Sequence, residues 1–366
     1  MCFRALSRRK ESMTEIDGSE KSGSGTIVRD AVPFSILMGG GIHLFNIRTK
    51  RDKPGLRPQH LKAMEAAAQI CGGSLEGGAV GSKEVRFEPG GGIKGGRFIW
   101  DIGTAGSTAM LALCVIPLAV FADKPSVYIV TGGLFQDFAP SLFHLKHVLL
   151  PVLRNMGVQV EVRILQPGYV PRGGGMIEVK VIPMREPLKP LNIAASGRLA
   201  ELRGIALSSM LKQRRVSERM ADACNEVLRK EGYFAEIEVM NDTRESPAFE
   251  RPSLQPGAAL AVWARSDTGC LIGADMAGAP RRTAEFIGER TARMLLQDLD
   301  SGATVDRHLG DQVIPFAALA EGRSTFIVPH ITDHVEARLW VAERILKAGT
   351  QVRGQRVTIE GIGYRR

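Results

Sequence analysis

His334 is the residue best placed by its neighbours to do chemistry. It stands in residues 325–344, TFIVPHITDHVEARLWVAER, with Asp333 before it and His330 four residues back. The stretch reads as a β-rich run ending at Pro329, a polar loop and an amphipathic helix. Val335, Leu339, Ala342 and Leu346 recur four, three and four residues apart, as one face of a 3.6-residue helix requires. An imidazole at that junction lies among helix amides that lack intrahelical partners and favour negative charge, a place suited to handling phosphate. Taken alone, a histidine in a loop is more often a solvated polar residue. A zinc site from His330 and His334 is disfavoured, because no HExxH glutamate lies between them and Pro329 holds His330 in a loop. A second cluster is the loop RTKRDKPGLRPQ, where Arg48, Lys50, Arg51, Lys53 and Arg57 surround a Pro-Gly turn before a helix N-terminus. Guanidinium forks can each donate two parallel hydrogen bonds to phosphate, and Lys50, Lys53 and Arg57 add general attraction for a polyanion. A third stretch, GSEKSGSGTIV, has P-loop spacing at Gly18 and Gly23. Ser24-Gly25 replaces the required Lys-Ser/Thr, which argues against a P-loop NTPase.

These residues hang on a pattern that runs through the chain three times. The first unit has a short strand (Thr14–Asp17), a helix over about 27–38 and the strand HLFNIRT. A helix with Leu61, Met64, Ala68 and Cys71 on one face follows, then strands LEGGAVG and SKEVRFEP. The second unit has the helix GSTAMLALCVIPLAVFA, strand VYIVT, loop GGLFQDFAP and a helix striped by Leu142, Leu145, Leu149, Val152 and Met156. It closes with strands VQVEVRIL and MIEVKVIP around the glycine loop GYVPRGGG. The third is expected to begin near Thr283 with the helix AEFIGERTARMLLQDL and to pass through HLGDQ and VIPFAALA. It then reaches strand TFIV, the His334 helix and strands QVRGQ and RVTIEGIG. Self-similarity of this kind marks internal repeats.

The expected fold is therefore α/β, of the α+β kind. Three helix–strand–helix–strand–strand repeats, residues 14–190 plus 279–366, form a large domain around a pseudo-threefold axis. A smaller α/β domain is inserted at 191–278, with strands RGIALSS, AEIEVM and ALAVWAR and a helix over 217–230. Around such an axis the equivalent loops 48–59, 132–140 and 330–334 meet at one end.

At 366 residues the chain can bury a core for two domains. Hydrophobic residues at 44% and charged residues at 24% exclude a disordered or membrane-embedded class. The net charge of +9 suits a polyanionic partner. The scattered cysteines (Cys2, Cys71, Cys114, Cys224, Cys270) form no CxxC, which points to a reducing compartment and away from zinc. The longest apolar run, 110–121, is too short to span a bilayer, so no membrane partner is expected. MCFRALSRRKES lacks the apolar core of a secretory signal, and residues 1–13 read as a disordered or over-extended start before Met13. The expected location is cytoplasmic.

From Asp17 to Gly363 the sequence resembles the RNA 3′-terminal phosphate cyclase family. The resemblance is carried by IRTKRDKPGLRPQHL, GTAGS, GYVPRGGG, HLGDQVIPFAALA and the His334 helix. GYVPRGGG is the most specific of these, close to the family's Pro-x-Gly-Gly-Gly signature. The resemblance implies a large domain of three repeats with a smaller insert. It implies ATP and a divalent metal (Mg²⁺ or Mn²⁺) as cofactors and an RNA 3′-phosphate end as partner. Relatives adenylate a histidine, pass AMP to the RNA 3′-phosphate and release AMP as the 2′-hydroxyl closes a 2′,3′-cyclic phosphate. The chemistry is sound, since a phosphate monoester is a poor electrophile until AMP makes its leaving group a stabilised nucleotide. By position, His334 is implied as nucleophile. Asp311 and Gln312 are implied at the nucleotide, with Asp311 also suited to a metal. Pro140 matches a residue that packs on adenine, and His308 stands where relatives often carry a stacking tyrosine. Arg29, Arg48, Arg51 and Gln59 match positions that hold phosphates of ATP or of the RNA end.

Two positions depart from the family pattern. Ser22-Gly23-Ser24-Gly25-Thr26 replaces Glu-Gly-Gly-Gly-Gln, and Leu113 replaces a glutamine expected in the active-site helix. Each lost contact of that kind is worth about 1–3 kcal/mol, a tenfold to hundredfold loss of rate. The alternative is thus a catalytically weakened or inactive cyclase-like protein that serves as an RNA-binding or ribosome-assembly module. Retention of His334, Asp311 and Gln312 favours the enzyme. An enolpyruvyl transferase, built on a similar repeat, is disfavoured by the uninterrupted cyclase signature and the single insert.

Overall fold

The computed structural model describes residues 13–137 and 139–366. The expectations for residues 1–12, Cys2 among them, lie outside the described residues. The chain opens with β1 (Thr14–Asp17), α1 (Gly25–Met38), β2 (Ile42–Phe45), α2 (Pro58–Cys71), β3 (Ser74–Glu76) and β4 (Val85–Glu88). These strands lie in the order β1-β2-β4-β3, with β1 parallel to β2 and the other pairs antiparallel. Next come β5 (Gly96–Asp101), α3 (Thr108–Ala119), β6 (Ser126–Gly132), α4 (Leu142–His144), α5 (Leu150–Asn155), β7 (Gln159–Gln166) and β8 (Gly175–Ile182). They form a sheet in the order β5-β6-β8-β7, again with only the first pair parallel. A π turn, Leu145–Leu149, joins α4 to α5, so the expected continuous helix carries one widened turn.

The third sheet departs from expectation. Its first strand is β9 (Asn192–Ile193), which was assigned by sequence to the insert. The chain then leaves for β10 (Leu199–Ser209), α6 (Val216–Lys230), β11 (Glu236–Asp242), β12 (Gly257–Ser266), β13 (Leu271–Ala277) and α7 (Ala284–Asp300). It returns as α8 (Leu309–Gln312), α9 (Ile314–Leu319), β14 (Glu321–Ile327), α10 (Asp333–Val341), β15 (Gly349–Arg353) and β16 (Arg356–Ile362). The order β15-β16-β14-β9, with β14 parallel to β9, matches the other two sheets. The helix between the first two strands here is α8–α9, not α7. Instead α7 packs on α6, β12 and β13. Its Ala284, Ile287, Ala292 and Leu295 share a second apolar core with Met220 of α6 and with Leu202, Leu260 and Ile272 of the β11-β10-β12-β13 layer. A division at 278 would strip that sheet of its cover, so the packing continues to Asp300.

The larger core gathers around α1, whose residues from Gly25 to Leu37 are all buried. A helix buried on every side must be apolar all round, and IVRDAVPFSIL is so except for Arg29, Asp30 and Ser35, whose hydroxyl donates to the Val32 carbonyl. It touches α2, α3 and α10. Ser24 caps its start, accepting from the Thr26 amide at 3.2 Å, and Gly39 ends it with φ 71°. Among the described residues no helix is long and apolar enough to cross a membrane. The described cysteines, Cys71, Cys114, Cys224 and Cys270, are free and buried.

Candidate active site

The N-terminal ends of α1, α2 and α10 open onto one cavity of about 490 Å³. Helix starts present unpaired amides and positive dipole ends, so their convergence favours an anion. His334, Asp311, Gln312, His308, Pro140, Arg29, Arg48, Arg51 and Gln59 all line it. The loops 48–59, 132–140 and 330–334 each contribute to its wall. Lys50 and Lys53 are outside the lining, whereas Arg57 belongs to it.

His334 is the second residue of α10, whose N-cap Thr332 accepts from the Val335 amide at 3.1 Å. Its Nδ1 lies 3.0 Å from Thr26 Oγ1 and 3.4 Å from Ser24 Oγ. Nε2 has no protein partner among the described residues. Burial pushes its pKa below the ordinary 6.5; Asp311 opposes this, and Arg29 and Arg338 reinforce it. The ring is therefore neutral near neutral pH, the state a nitrogen nucleophile needs.

Arg48 and Arg51 are held by main-chain oxygens, and Arg29 by a side-chain hydroxyl. Arg48, in the left-handed region at φ 55°, donates from Nη1 to the Lys53 and Gly55 carbonyls, both at 2.8 Å. Arg51 Nη2 donates to the Ser22 carbonyl at 2.8 Å and ties the two phosphate-side loops together. Arg29 Nη2 donates to Thr26 Oγ1 at 3.1 Å, while its buried Nε has no partner. None of Arg29, Arg48, Arg51 and Arg57 makes a salt bridge among the described residues. The cavity's carboxylates are already compensated: Asp137 by Arg282 at 2.9 Å, and Asp311 by Arg338 at 2.9 Å. The walls are thus net positive.

Arg338 was not singled out from sequence. It is buried and also donates to Asp30 at 3.0 Å, so one guanidinium joins α10, α8 and α1. Its position three residues after Val335, on the buried stripe, was the available signal. His60 was also missed. It is buried and its pKa is pushed down to about 2, by burial first and then by Arg29, Arg48 and Arg57. Its Nδ1 accepts from the Arg57 amide at 3.2 Å. Its ring fills the space where a Cβ on Gly25 would stand, which explains glycine there.

Several polar groups await a partner or serve a neighbour. Gln312 is 2% exposed, and neither of its amide atoms has a hydrogen bond. Gln136 Oε1, another wall residue missed by sequence, is likewise unpartnered. Gln59 Oε1 accepts from the Ser107 amide at 2.9 Å, linking the starts of α2 and α3. The GYVPRGGG loop approaches neighbouring backbone closely. Gly173, at φ 70°, lies where a Cβ would meet the Ala105 and Thr104 backbone at 2.8–2.9 Å. Leu113, at the position where a glutamine is expected in the active-site helix, is buried in the main core, and Met110 one turn earlier lines the cavity.

Metal ligands are sparse. No group of three His, Cys, Asp or Glu side chains suited to a metal occurs among the described residues. Asp311 Oδ2 is engaged by Arg338, and Ser22 offers a hydroxyl and no carboxylate. The donor set fits no all-protein metal site.

A mixed α/β protein with an arginine-walled cavity and a neutral, anchored histidine is the class that fold and site define. A family model described as RNA 3′-terminal phosphate cyclase matches residues 20–352. The protein of that name from Methanopyrus kandleri is 39% identical over 345 residues, covering 94% of this chain and 96% of the relative. Those from Desulfurococcus amylolyticus and Archaeoglobus fulgidus are 35% and 36% identical, covering 97% and 95% of this chain and 99% and 100% of their own. The solved enolpyruvyl transferase NikO from Streptomyces tendae aligns over 97% of this chain and 52% of its own, with 14% identity and a TM-score of 0.25, a likeness that carries no argument. The chain belongs to the RNA 3′-terminal phosphate cyclase family.

Proposed function

We propose that the protein converts an RNA 3′-phosphate into a 2′,3′-cyclic phosphate using ATP, with His334 as nucleophile. Nε2 attacks the α-phosphorus, the bond to the bridging oxygen breaks, and its electron pair leaves with pyrophosphate. The AMP passes to the RNA 3′-phosphate, and attack by the neighbouring 2′-hydroxyl releases AMP. Arg29, Arg48 and Arg51 bind the phosphates through donors that their own hydrogen bonds leave free. Gln312 hydrogen-bonds the nucleotide, Gln59 holds the cavity wall at the phosphate side, and Pro140 and His308 pack on the base. A divalent cation delivered with the triphosphate would screen its charge, and of the two cavity carboxylates, Asp137 and Asp311, it is Asp311 that would help to hold it.

The observation that carries this reading is His334 itself: neutral, anchored at Nδ1, and facing four arginines free of salt bridges. The shared order of three sheets supports three repeats around a pseudo-threefold axis, with residues 14–193 and 303–366 as the large domain and 199–300 as the insert. The free buried cysteines support a cytoplasmic location. Incubation with α-labelled ATP and Mg²⁺ or Mn²⁺ tests the mechanism. Protein-bound label in the parent and none in His334→Ala is expected. A folded parent that binds RNA but takes no label with either metal would be a binding module, and the cyclase reading would fall.

A further inference from the structure

We infer that the strand preceding the RNA 3′-phosphate lies in a second groove, between the GYVPRGGG loop and the starts of α6 and α7, with its phosphates on Arg214 and Arg281. This rests on the proposed RNA substrate and adds a site for the nucleotides behind the reacting one. The groove has a volume of about 650 Å³, against about 490 Å³ for the cavity at His334. Tyr169, Val170 and Pro171 of the glycine loop form one wall, and Pro280, Arg281 and Arg282 ahead of α7 form another.

The two spaces share a boundary. Arg282 lines the groove and donates, at 2.9 and 3.0 Å, to Asp137, which lines the cavity. The walls are also joined through the backbone. The Leu134 and Phe135 amides, in the loop 132–140, both donate to the Gly168 carbonyl beside Tyr169, at 2.9 and 3.2 Å. A strand whose end lies in the cavity has this groove as its next surface beyond Asp137.

Charge selects the occupant. Four arginines and no acidic side chain line the groove among the described residues. Arg219 is paired with Glu285 and Arg282 with Asp137, whereas Arg214 and Arg281 make no salt bridge among the described residues. Both are exposed, and Arg281 stands at φ 66°, a conformation that glycine would adopt without strain. The first turns of α6 and α7 line the same groove, so their dipoles add to the positive field. Between the arginines the surface is apolar, with Val170, Pro171, Pro256 and Pro280 exposed. Guanidinium planes and apolar faces take unstacked bases, while the guanidinium donors take the phosphates between them. Few groups could read a base edge. Gln255, 7% exposed, donates from Nε2 to the Tyr169 carbonyl and accepts at Oε1 from the Arg172 amide. Thr283 accepts from the Phe286 amide as the cap of α7. The groove is thus expected to hold a strand with little regard to its sequence.

Fluorescence anisotropy of the full chain with a 3′-phosphorylated oligoribonucleotide tests this. Arg214→Gln combined with Arg281→Gln is expected to weaken binding about tenfold at about 0.15 M salt. It should also lower the slope of log affinity against log salt by about 1.4, the loss of two single-strand phosphate contacts. ATP affinity should stay within about twofold, since neither residue lines the cavity. Arg214→Lys with Arg281→Lys keeps both charges and should recover most of the RNA affinity. In the parent, 4-thiouridine placed just before the terminal nucleotide should cross-link under ultraviolet light to residues 169–171, 211–216 or 278–283. Cross-links confined to other segments overturn the inference. So does a folded glutamine variant that binds the oligomer as the parent does, which would leave the groove to another ligand such as a protein. A parent that binds and cross-links here but forms no cyclic phosphate sinks the proposed function and supports the groove. A parent that forms the cyclic phosphate, with the glutamine variant unimpaired in binding, does the reverse.

Discussion

Replacing Arg338 by methionine would remove the charge that joins three helices while keeping most of the apolar stem. The wild-type guanidinium bonds Asp30 at 3.0 Å and Asp311 at 2.9 Å, and both it and Asp30 are buried. Taking one partner from a buried ion pair costs about 3–5 kcal/mol, because the charge left behind has lost its compensation. Asp30 sets the pH dependence. Burial already pushes its carboxyl up to about 6 against the pull of Arg338 and Arg29. Without Arg338 it rises further, and each added unit is a penalty of about 1.4 kcal/mol for holding the charged form. A carboxyl raised above its unfolded value of 3.8 destabilises at high pH, and the penalty disappears as the pH falls toward that value. Urea unfolding should therefore show the full deficit at about pH 8 and a much smaller one at about pH 5. Adding Asp30→Asn should recover most of the loss, since the amide carries no charge to compensate. A deficit below about 1 kcal/mol at the higher pH, or a double variant no better than the single, would refute the buried-bridge argument.

Two further perturbations separate ligand-directed groups from structural ones. Gln312→Leu removes an amide whose two polar atoms are buried and unpartnered. The ligand-free protein should keep its stability or gain about 1–3 kcal/mol, while stabilisation by added ATP shrinks. Loss of ligand-free stability would show that the amide already has partners. The His144–Asp306 pair, 3.0 Å apart and fully buried, should produce a stability maximum on the acid side of neutrality. Burial would raise Asp306, but His144 more than offsets it and holds the carboxyl at about 2; its contribution is present above 3.8 and lost as pH falls through about 2. Burial would lower His144, but Asp306 wins and raises it; its contribution is full below 6.5 and lost as pH rises through that raised value. In Asp306→Asn both limbs should flatten in denaturant titrations across pH. A profile parallel to wild type would contradict the assignment.

Local periodicity made most elements legible, because a helix stripe or an alternating strand is written in neighbouring residues. It does not say which sheet a stripe will cover. The helix expected over AEFIGERTARMLLQDL is present as α7, but its partner is the insert layer, a choice made by residues more than fifty positions upstream such as Leu202 and Met220. β9 is only two residues long and carries no pattern, so its pairing with β14 was invisible. Of the nine expected site residues, His334, Arg48 and Arg51 were visible from their neighbours, and the other six came through resemblance to a family, which encodes spatial neighbours that spacing cannot. What resemblance did not bring forward was the support beneath them. Arg338 reads as one more charge on a helix until its place on the apolar stripe is noticed. His144 sits beside leucines, and its partner Asp306 is 162 residues away. Leu113 shows the converse error. Helix phase turns it into the core and gives Met110 to the cavity, so the departure there removes no group from the wall.

The change at Ser22 has a different consequence. Arg51 binds the Ser22 main-chain carbonyl, a contact that does not depend on the side chain. Exchanging glutamate for serine therefore leaves the loop anchored and removes a negative charge from beside Arg51. The serine hydroxyl is spent on Ser24, within the chain of hydroxyls that leads to His334. With Asp311 bound to Arg338 and Asp137 to Arg282, no carboxylate remains to neutralise the wall arginines, and phosphate is the group that can. Arg29, Arg48 and Arg51 are each fixed by one nitrogen and retain other donors, so a triphosphate meets forks already oriented and loses little affinity to ordering them. On the proposed reading, serine in place of the glutamate that the family resemblance implies would move charge compensation from metal toward arginine. It predicts a cavity whose grip on the nucleotide depends less on the divalent ion than a glutamate-bearing loop would require, readable as ATP affinity measured with and without a chelator.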